Sequence, residues 1–298
     1  MPFEPAVPLS SPAPVGAPPV TVGSLIGRTF STWWKRMWIF AALSLVVLVP
    51  VYVVQFAVLL PMQRALSSGE PAPGFMVVAL SFSFLASLAM MVQSCGHTYG
   101  AVQHLSGMPV RVGAMLGVAF GRLLPMIGLF LVGLLAYFAF GITVVLTAVL
   151  LGMVLGKAIT GFLLAVVLLP LCCVLGTALS LTIPVIVAER VGPITGMRRS
   201  WVLTKGRRGA IFLTLLVAAL FLLAIFGVQF ALMFSSGAMA LGGLEPQLEP
   251  AMIVRTVVFG LVYVLVLPIF TAAPAVAYHD VRIEKEGVSS EKLAEVFQ

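Results

Sequence analysis

Long unbroken apolar runs dominate this chain. A helix that crosses a bilayer needs about 20 consecutive apolar residues. Six runs reach that length, at about 38–60, 74–94, 125–151, 159–187, 210–234 and 256–278. The third and fourth come from one stretch, Leu123 to Ala188, divided at Lys157 among Gly152, Gly156 and Gly161. The pattern predicts an all-α fold, a polytopic membrane bundle of six transmembrane helices. Residues 1–20 hold seven prolines and lack a basic start or an apolar core. They are expected to be a disordered, Pro-rich cytoplasmic tail rather than a signal peptide. The six-span domain would occupy 21–280, followed by a short cytoplasmic tail helix at 281–298. There Ser289 or Ser290 would cap a turn carrying Leu293, Val296 and Phe297.

Between the runs a second pattern recurs. Val22-Gly23 with Gly27, Val112-Gly113 with Gly117, and Val191-Gly192 with Gly196 all spell VG-x-x-x-G, and each precedes an odd-numbered span. A further echo follows two even spans, PVIVAERV at 184–191 and PAVAYHDV at 274–281. The expectation is three pseudo-repeated hairpins, each introduced by a short interfacial cytoplasmic helix. In the first such helix Ile26, Phe30, Trp33, Trp34 and Met37 form one stripe, with Arg28, Ser31 and Lys35 on the other face. An apolar face backed by cations suits a helix lying in the headgroup plane. Trp33, Trp34, Trp38 and Trp201 would be its boundary anchors. Pro193 suits a first helical position, and Gly206 should end the third helix before the fifth span.

Composition removes several classes. The chain is 61% hydrophobic and 9% charged, whereas soluble domains are about a quarter charged. A soluble enzyme, a nucleic-acid-binding domain and a disulfide scaffold are excluded; the cysteines are only Cys95, Cys172 and Cys173. The net charge of +7 is distributed unevenly. With six spans, fourteen of the 17 Lys and Arg fall on one side; Arg64, Lys157 and Arg255 fall on the other. The positive-inside rule puts the fourteen, and both termini, in the cytoplasm.

Candidate chemistry is sparse. The densest cluster is RRSWVLTKGRR at 198–208. Arg28, Lys35, Arg36, Arg198, Arg199, Lys205, Arg207 and Arg208 are the candidates for lipid-headgroup contact, since a cation near an anionic surface contributes about 1 kcal/mol. The alternative for this cluster is a plain topology determinant. No Asp, Glu, Lys or Arg lies away from the span ends, which argues against an ion-coupled pump. Gln55 and Gln229 are the polar residues that would line a cavity if one exists; such amides also serve to hold helices together, as does Gln93. Cys95, His97 and His104 match no zinc spacing, so no metal site is expected. His279 and Asp280, neighbours on a helix, should point apart and serve the surface. Pro50, Pro170, Pro268 and Pro274 should kink spans and free backbone carbonyls. No nucleophile elbow, phosphate loop or paired acid–base set occurs, so no catalytic or cofactor-binding residue is assigned.

Two stretches carry a family resemblance. Arg199-Ser200-Trp201 with Leu203 and Gly206, and Tyr278 with Asp280, Arg282, Glu286 and Gly287, resemble signatures of bacterial six-span proteins. Those proteins are similar to the membrane domain of glycerophosphoryl diester phosphodiesterases. The resemblance implies a module of the bacterial cytoplasmic (inner) membrane. The family's catalysis belongs to a separate barrel of about 250 residues. The chain has no room for it, so no catalytic residue carries over.

The functional expectation is a non-catalytic integral membrane protein whose basic interfacial helices engage anionic phospholipid. Phospholipid would be the principal partner, with a protein partner through the C-terminal tail and no nucleic acid. The alternative is a transporter or exporter component for an amphiphilic or lipidic solute, since repeats and broken helices recur in carriers.

Overall fold

The computed structural model describes residues 20–54, 57, 58, 61, 62, 65, 68, 69, 73–235 and 250–286. The described residues form helices and no strands. In chain order these are α1 (Val22–Val54), α2 (Phe75–Leu105), α3 (Val112–Gly121), α4 (Leu123–Leu155), α5 (Lys157–Leu179), α6 (Thr182–Glu189), α7 (Pro193–Thr204), α8 (Arg208–Ser235), α9 (Pro250–Val266) and α10 (Pro268–Glu286). Six stretches are long and apolar enough to cross a membrane, with α5–α6 and α9–α10 each supplying one. The protein is an all-α, multi-pass membrane protein.

One expected boundary moves. The first basic, Trp-rich segment is not a separate interfacial helix; α1 runs unbroken from Val22 through the span to Val54. No Gly or Pro lies between Gly27 and Pro50, so nothing ends the helix there. The second and third segments do form separate helices, α3 and α7. Pro193 opens α7, and Gly206, at φ +84°, makes the turn into α8.

Burial divides the bundle along its length. At the basic end the even-numbered spans are enclosed, over Cys95–Gln103 of α2, Pro184–Ala188 of α6 and Ala275–Val281 of α10. These three segments pack on one another, and each is wrapped by a helix that begins at a VG-x-x-x-G segment. Helix α3 wraps α2, α7 wraps α6, and α1 closes the ring against α10. Glycines set the approach: a Cβ on Gly100 would lie 2.8 Å from Met115 Cε of α3, and one on Gly196 would lie 2.7 Å from Ile186 Cγ1 of α6. Small residues at helix contacts are how packing tightens where lipid removes the hydrophobic drive.

The other half of the bundle is bare. Met126 is the buried residue of α4, while Leu135, Phe138, Leu146 and Val154 are exposed. In water that surface would aggregate; in a bilayer it is the lipid contact. Four of the hydroxyls on it are satisfied within their own helices. Thr143 and Thr147 donate to the carbonyls of Ala139 and Thr143, and Ser83 and Ser87 to those of Ala79 and Ser83, at 2.8–2.9 Å.

Both composite spans break where backbone groups need outside partners. Pro268 has no N–H to give the Val264 carbonyl four residues back, so the ladder breaks at Leu267, next to the Leu265 carbonyl. The Trp33 indole N–H donates to it at 2.8 Å. Between α5 and α6 the Ser200 hydroxyl bridges the gap: it donates to the Ala178 carbonyl at 2.7 Å and accepts from the Leu181 N–H at 3.2 Å. Ser200 is fully buried, so no water replaces it. Ser200→Ala is expected to lower the unfolding free energy by about 1–3 kcal/mol, the cost of leaving buried groups unpaired. Equilibrium unfolding in detergent–SDS mixtures measures this; an unchanged midpoint would show that the break needs no bridge.

Candidate functional site at the basic end

The four described carboxylates, Glu189, Asp280, Glu284 and Glu286, meet several cations at one end of the bundle. Helix α10 is the hub, because its last two turns carry Asp280, Arg282, Glu284, Lys285 and Glu286 on a segment packed against α1, α7 and α8. Arg28 of α1 pairs with Asp280, whose side chain is 4% exposed. Arg199 of α7 pairs with Glu286 and, at 3.1 Å, with Glu189 at the end of α6. Arg282 donates to Glu286 at 3.1 Å and to the Tyr278 hydroxyl at 2.7 Å. The Tyr278 hydroxyl donates in turn to Glu189 at 3.1 Å. Arg207 is held by Glu284. Lys285 Nζ donates to the carbonyls of Lys205 and Val202 at 2.6 and 3.1 Å, at the C-terminal end of α7. A cation there also meets the negative end of the helix dipole.

Burial alone would pull the Arg199 guanidinium below its ordinary pKa, but Glu189 and Glu286 outweigh it and the net shift is upward. Arg207 shifts upward as well, chiefly through its hydrogen bond to Glu284.

The eight cations expected at lipid headgroups therefore divide. Arg28, Arg199 and Arg207 are bound to carboxylates of the chain itself. Arg36 Nε donates to His104 Nδ1 at 3.1 Å. Arg208 lies over the Trp201 ring, 4.3 Å from its centroid. Lys35, Arg198 and Lys205 are exposed, and their side chains have no carboxylate partner among the described residues. The four tryptophans divide too. Trp34, Trp38 and Trp201 are 67%, 73% and 42% exposed, whereas Trp33 is buried against Phe221 and the α9–α10 break. Trp33 sits inward because α1 turns that side toward α8 and α10, and the Leu265 carbonyl beside the break takes its N–H.

His279 and Asp280 do not serve the surface. Both are buried, and His279 Nδ1 lies 3.1 Å from Asp280 Oδ1. Helix α10 is enclosed on every side here, so neighbouring residues that would point apart on an exposed helix are both covered. His97, Cys95 and His104 do not converge. His97 lies inside the bundle, with Nε2 at 3.2 Å from the Ser44 hydroxyl and 3.1 Å from the Phe40 carbonyl. Gln93 donates to Ser44 at 2.7 Å and so ties α2 to α1. Among the described residues no three or more His, Cys, Asp or Glu are grouped as metal ligands. Gln55, the side chain of Gln229, and the tails at 1–19 and 287–298 lie outside the described residues.

Sequence reasoning missed Glu189, Glu284 and Ser200 as organising residues. Their signal was present: each lies beside a basic residue or a helix break at a span end.

Comparison with family models, with curated proteins and with solved structures finds no match.

Proposed function

We propose that this protein is a non-catalytic module of the bacterial cytoplasmic membrane that engages anionic phospholipid at its basic end, with both termini in the cytoplasm. One observation carries this reading. Cations left without a carboxylate, Lys35, Arg198 and Lys205, are exposed and lie within four residues of the exposed rings of Trp34, Trp38 and Trp201. A ring at the boundary with a cation beside it fits the headgroup layer, where each such charge adds about 1 kcal/mol of attraction. The described carboxylates at this end, Glu189, Asp280, Glu284 and Glu286, are each held by arginine or tyrosine, which supports a binding role over acid–base chemistry. Three helices that each start at a VG-x-x-x-G segment and each wrap one enclosed span end support the threefold repeat. The close-packed interior around Phe40, Leu43, Met115 and Tyr278 favours a static module over a carrier. The likeness to phosphodiesterase membrane domains remains a proposal of the same kind, resting on the Arg199-Ser200-Trp201 and Tyr278–Glu286 stretches.

Replacing Lys35, Arg198 and Lys205 together by Gln is expected to reduce co-purified anionic lipid, counted by native mass spectrometry, while leaving the unfolding midpoint near that of the wild type. Undiminished anionic lipid would remove the reading.

A further inference from the structure

The seam between α1 and α2 ends in two basic side chains. Leu43, Phe40 and Arg36 follow one another along one face of α1 at helical spacing. Gly96, Gly100 and His104 do the same on α2. The two rows run antiparallel and meet step by step. A Cβ on Gly96 would lie 2.5 Å from Leu43 Cδ2, and one on Gly100 would lie 3.0 Å from Phe40 Cε1. At the third step Arg36 Nε donates to His104 Nδ1 at 3.1 Å. The glycines thus draw the helices close just before guanidinium and imidazole meet. Both of these side chains are half-buried.

A guanidinium only donates, so Nδ1 must offer its lone pair and the His104 ring is neutral. Among the described residues no carboxylate pairs with either group. The helices packed against α2 supply none. Helix α1 brings Lys35, exposed and without a carboxylate, besides Arg36. Neither α3 nor α4 contains a charged residue, and the residues flanking α3 are Arg111 and Arg122. Glu189 of α6 is committed to Arg199 and Tyr278. On α10, Asp280 is held by Arg28 and His279, Glu284 by Arg207, and Glu286 by Arg199 and Arg282. Lys285 of α10 is docked on the carbonyls of Lys205 and Val202.

Protonation of His104 would therefore lose the Arg36 bond and set an imidazolium beside a guanidinium with no acid to offset them. The glycine steps leave the helices little room to draw apart. An anion arriving at this end offsets both charges, so it is bound best when the ring is protonated. The terminal amino groups of Arg36 have no partner among the described residues, and they suit phosphate oxygens. Arg36 stands between Trp34 and Trp38, 67% and 73% exposed, whose rings mark the membrane boundary and hence the headgroup level.

We propose that Arg36 and His104 form a proton-sensitive site for the phosphate of an anionic phospholipid, which is held more tightly when His104 gains a proton. The site rests on the phospholipid reading above and adds its regulation. Free phosphate shares the same chemistry; the boundary level of Arg36 selects the lipid.

The test uses the full chain in nanodiscs of phosphatidylcholine with and without phosphatidylglycerol, at about pH 5 and about pH 8, which bracket the titration of histidine. Retained lipid is counted by native mass spectrometry. The charge of phosphatidylglycerol is constant over this range, so a change in retention lies in the protein. Wild type is expected to hold the lipid about fivefold more tightly at the lower pH, the worth of one added cation near an anionic surface. His104→Asn places an amide oxygen where Nδ1 stood; it still accepts from Arg36 but does not titrate. At both pH values it should match wild type at the higher pH. His104→Lys is charged throughout, and at both pH values it should match wild type at the lower pH. A misfolded variant would lose lipid, so it could not imitate the lysine result. A pH gain that persists in His104→Asn, or is missing from wild type, would overturn the site. If wild type shows no gain while the Lys35, Arg198 and Lys205 variant loses lipid, the proton coupling falls and the lipid reading stands. No retention by wild type at either pH would overturn both. Displacement of the lipid by inorganic phosphate at equal concentration would overturn the assignment to lipid.

Discussion

Arg28→Leu is expected to destabilise the protein by about 3 kcal/mol, because it strands the Asp280 carboxylate. That side chain is 4% exposed, so water cannot take over from the guanidinium. Removing one partner of a buried ion pair typically costs about 3–5 kcal/mol. The lower end applies here, since Arg28 itself is a third exposed and His279 stays within hydrogen-bond reach of the acid. The cost is one of stranded charge rather than lost contact, so a second change should repair it. Adding Asp280→Asn to Arg28→Leu removes the charge and keeps an acceptor for His279. The double variant is expected to recover at least half of the loss in equilibrium unfolding. Equal stability of the single and double variants would show that the pair is not what holds α1 to α10.

Gly196→Val is the second large effect, at about 2–3 kcal/mol. Even a Cβ at this position would fall 2.7 Å from Ile186 Cγ1 and 3.6 Å from Thr182 Cγ2. The obstructing atom is near the root of a β-branched side chain, which has one easy rotamer in a helix and cannot swing aside. Overpacking of this sort costs about 1–3 kcal/mol. A double-variant cycle with Ile186→Ala should show a favourable coupling of about 1 kcal/mol or more. The same motif supplies its own controls. Gly27 and Gly117 hold the matching position, and a Cβ on either meets nothing within 4 Å. Gly27→Val and Gly117→Val should stay within about 0.5 kcal/mol of wild type. If all three behave alike, the contact of α7 with α6 is looser than described.

These two sites show how far the sequence was legible. The spans were, because residues 125–151 and 210–234 contain no charge that could hide the signal. Pro193 and Gly206 marked the ends of α7 correctly, since one lacks the N–H a first turn does not need and the other admits a left-handed turn. The division between lipid-facing and protein-facing halves was not legible from hydropathy. Apolar side chains suit both surroundings equally, so Val102 in the core and Val154 in lipid score alike. A finer signal existed in the small and polar residues of the enclosed ends, such as Gly96, His97, Gly100 and Gln103, which favour helix contacts over lipid. The ion pairs were hidden for a different reason. Charge counting assigned Arg28, Arg199 and Arg207 to the membrane surface, but Arg28 and Arg207 meet acids 252 and 77 positions away, and Arg199 meets one 87 positions away besides the nearer Glu189. The stretches that prompted the family resemblance turn out to be structural: Ser200 spans a break, and Tyr278, Arg282 and Glu286 hold α10 to α6 and α7.

The ring of wrapped span ends closes only when α1 meets α10. During synthesis the first helix leaves the ribosome with Arg28 unmatched, and its acid is made 252 residues later. At about 5–20 residues per second that delay is roughly 10–50 s. Throughout it, a guanidinium and the inward face of α1 wait beside the insertion machinery without their final neighbours. A polypeptide cut short before Asp280 would never complete the ring, and its uncovered first helix would mark it for proteolytic removal.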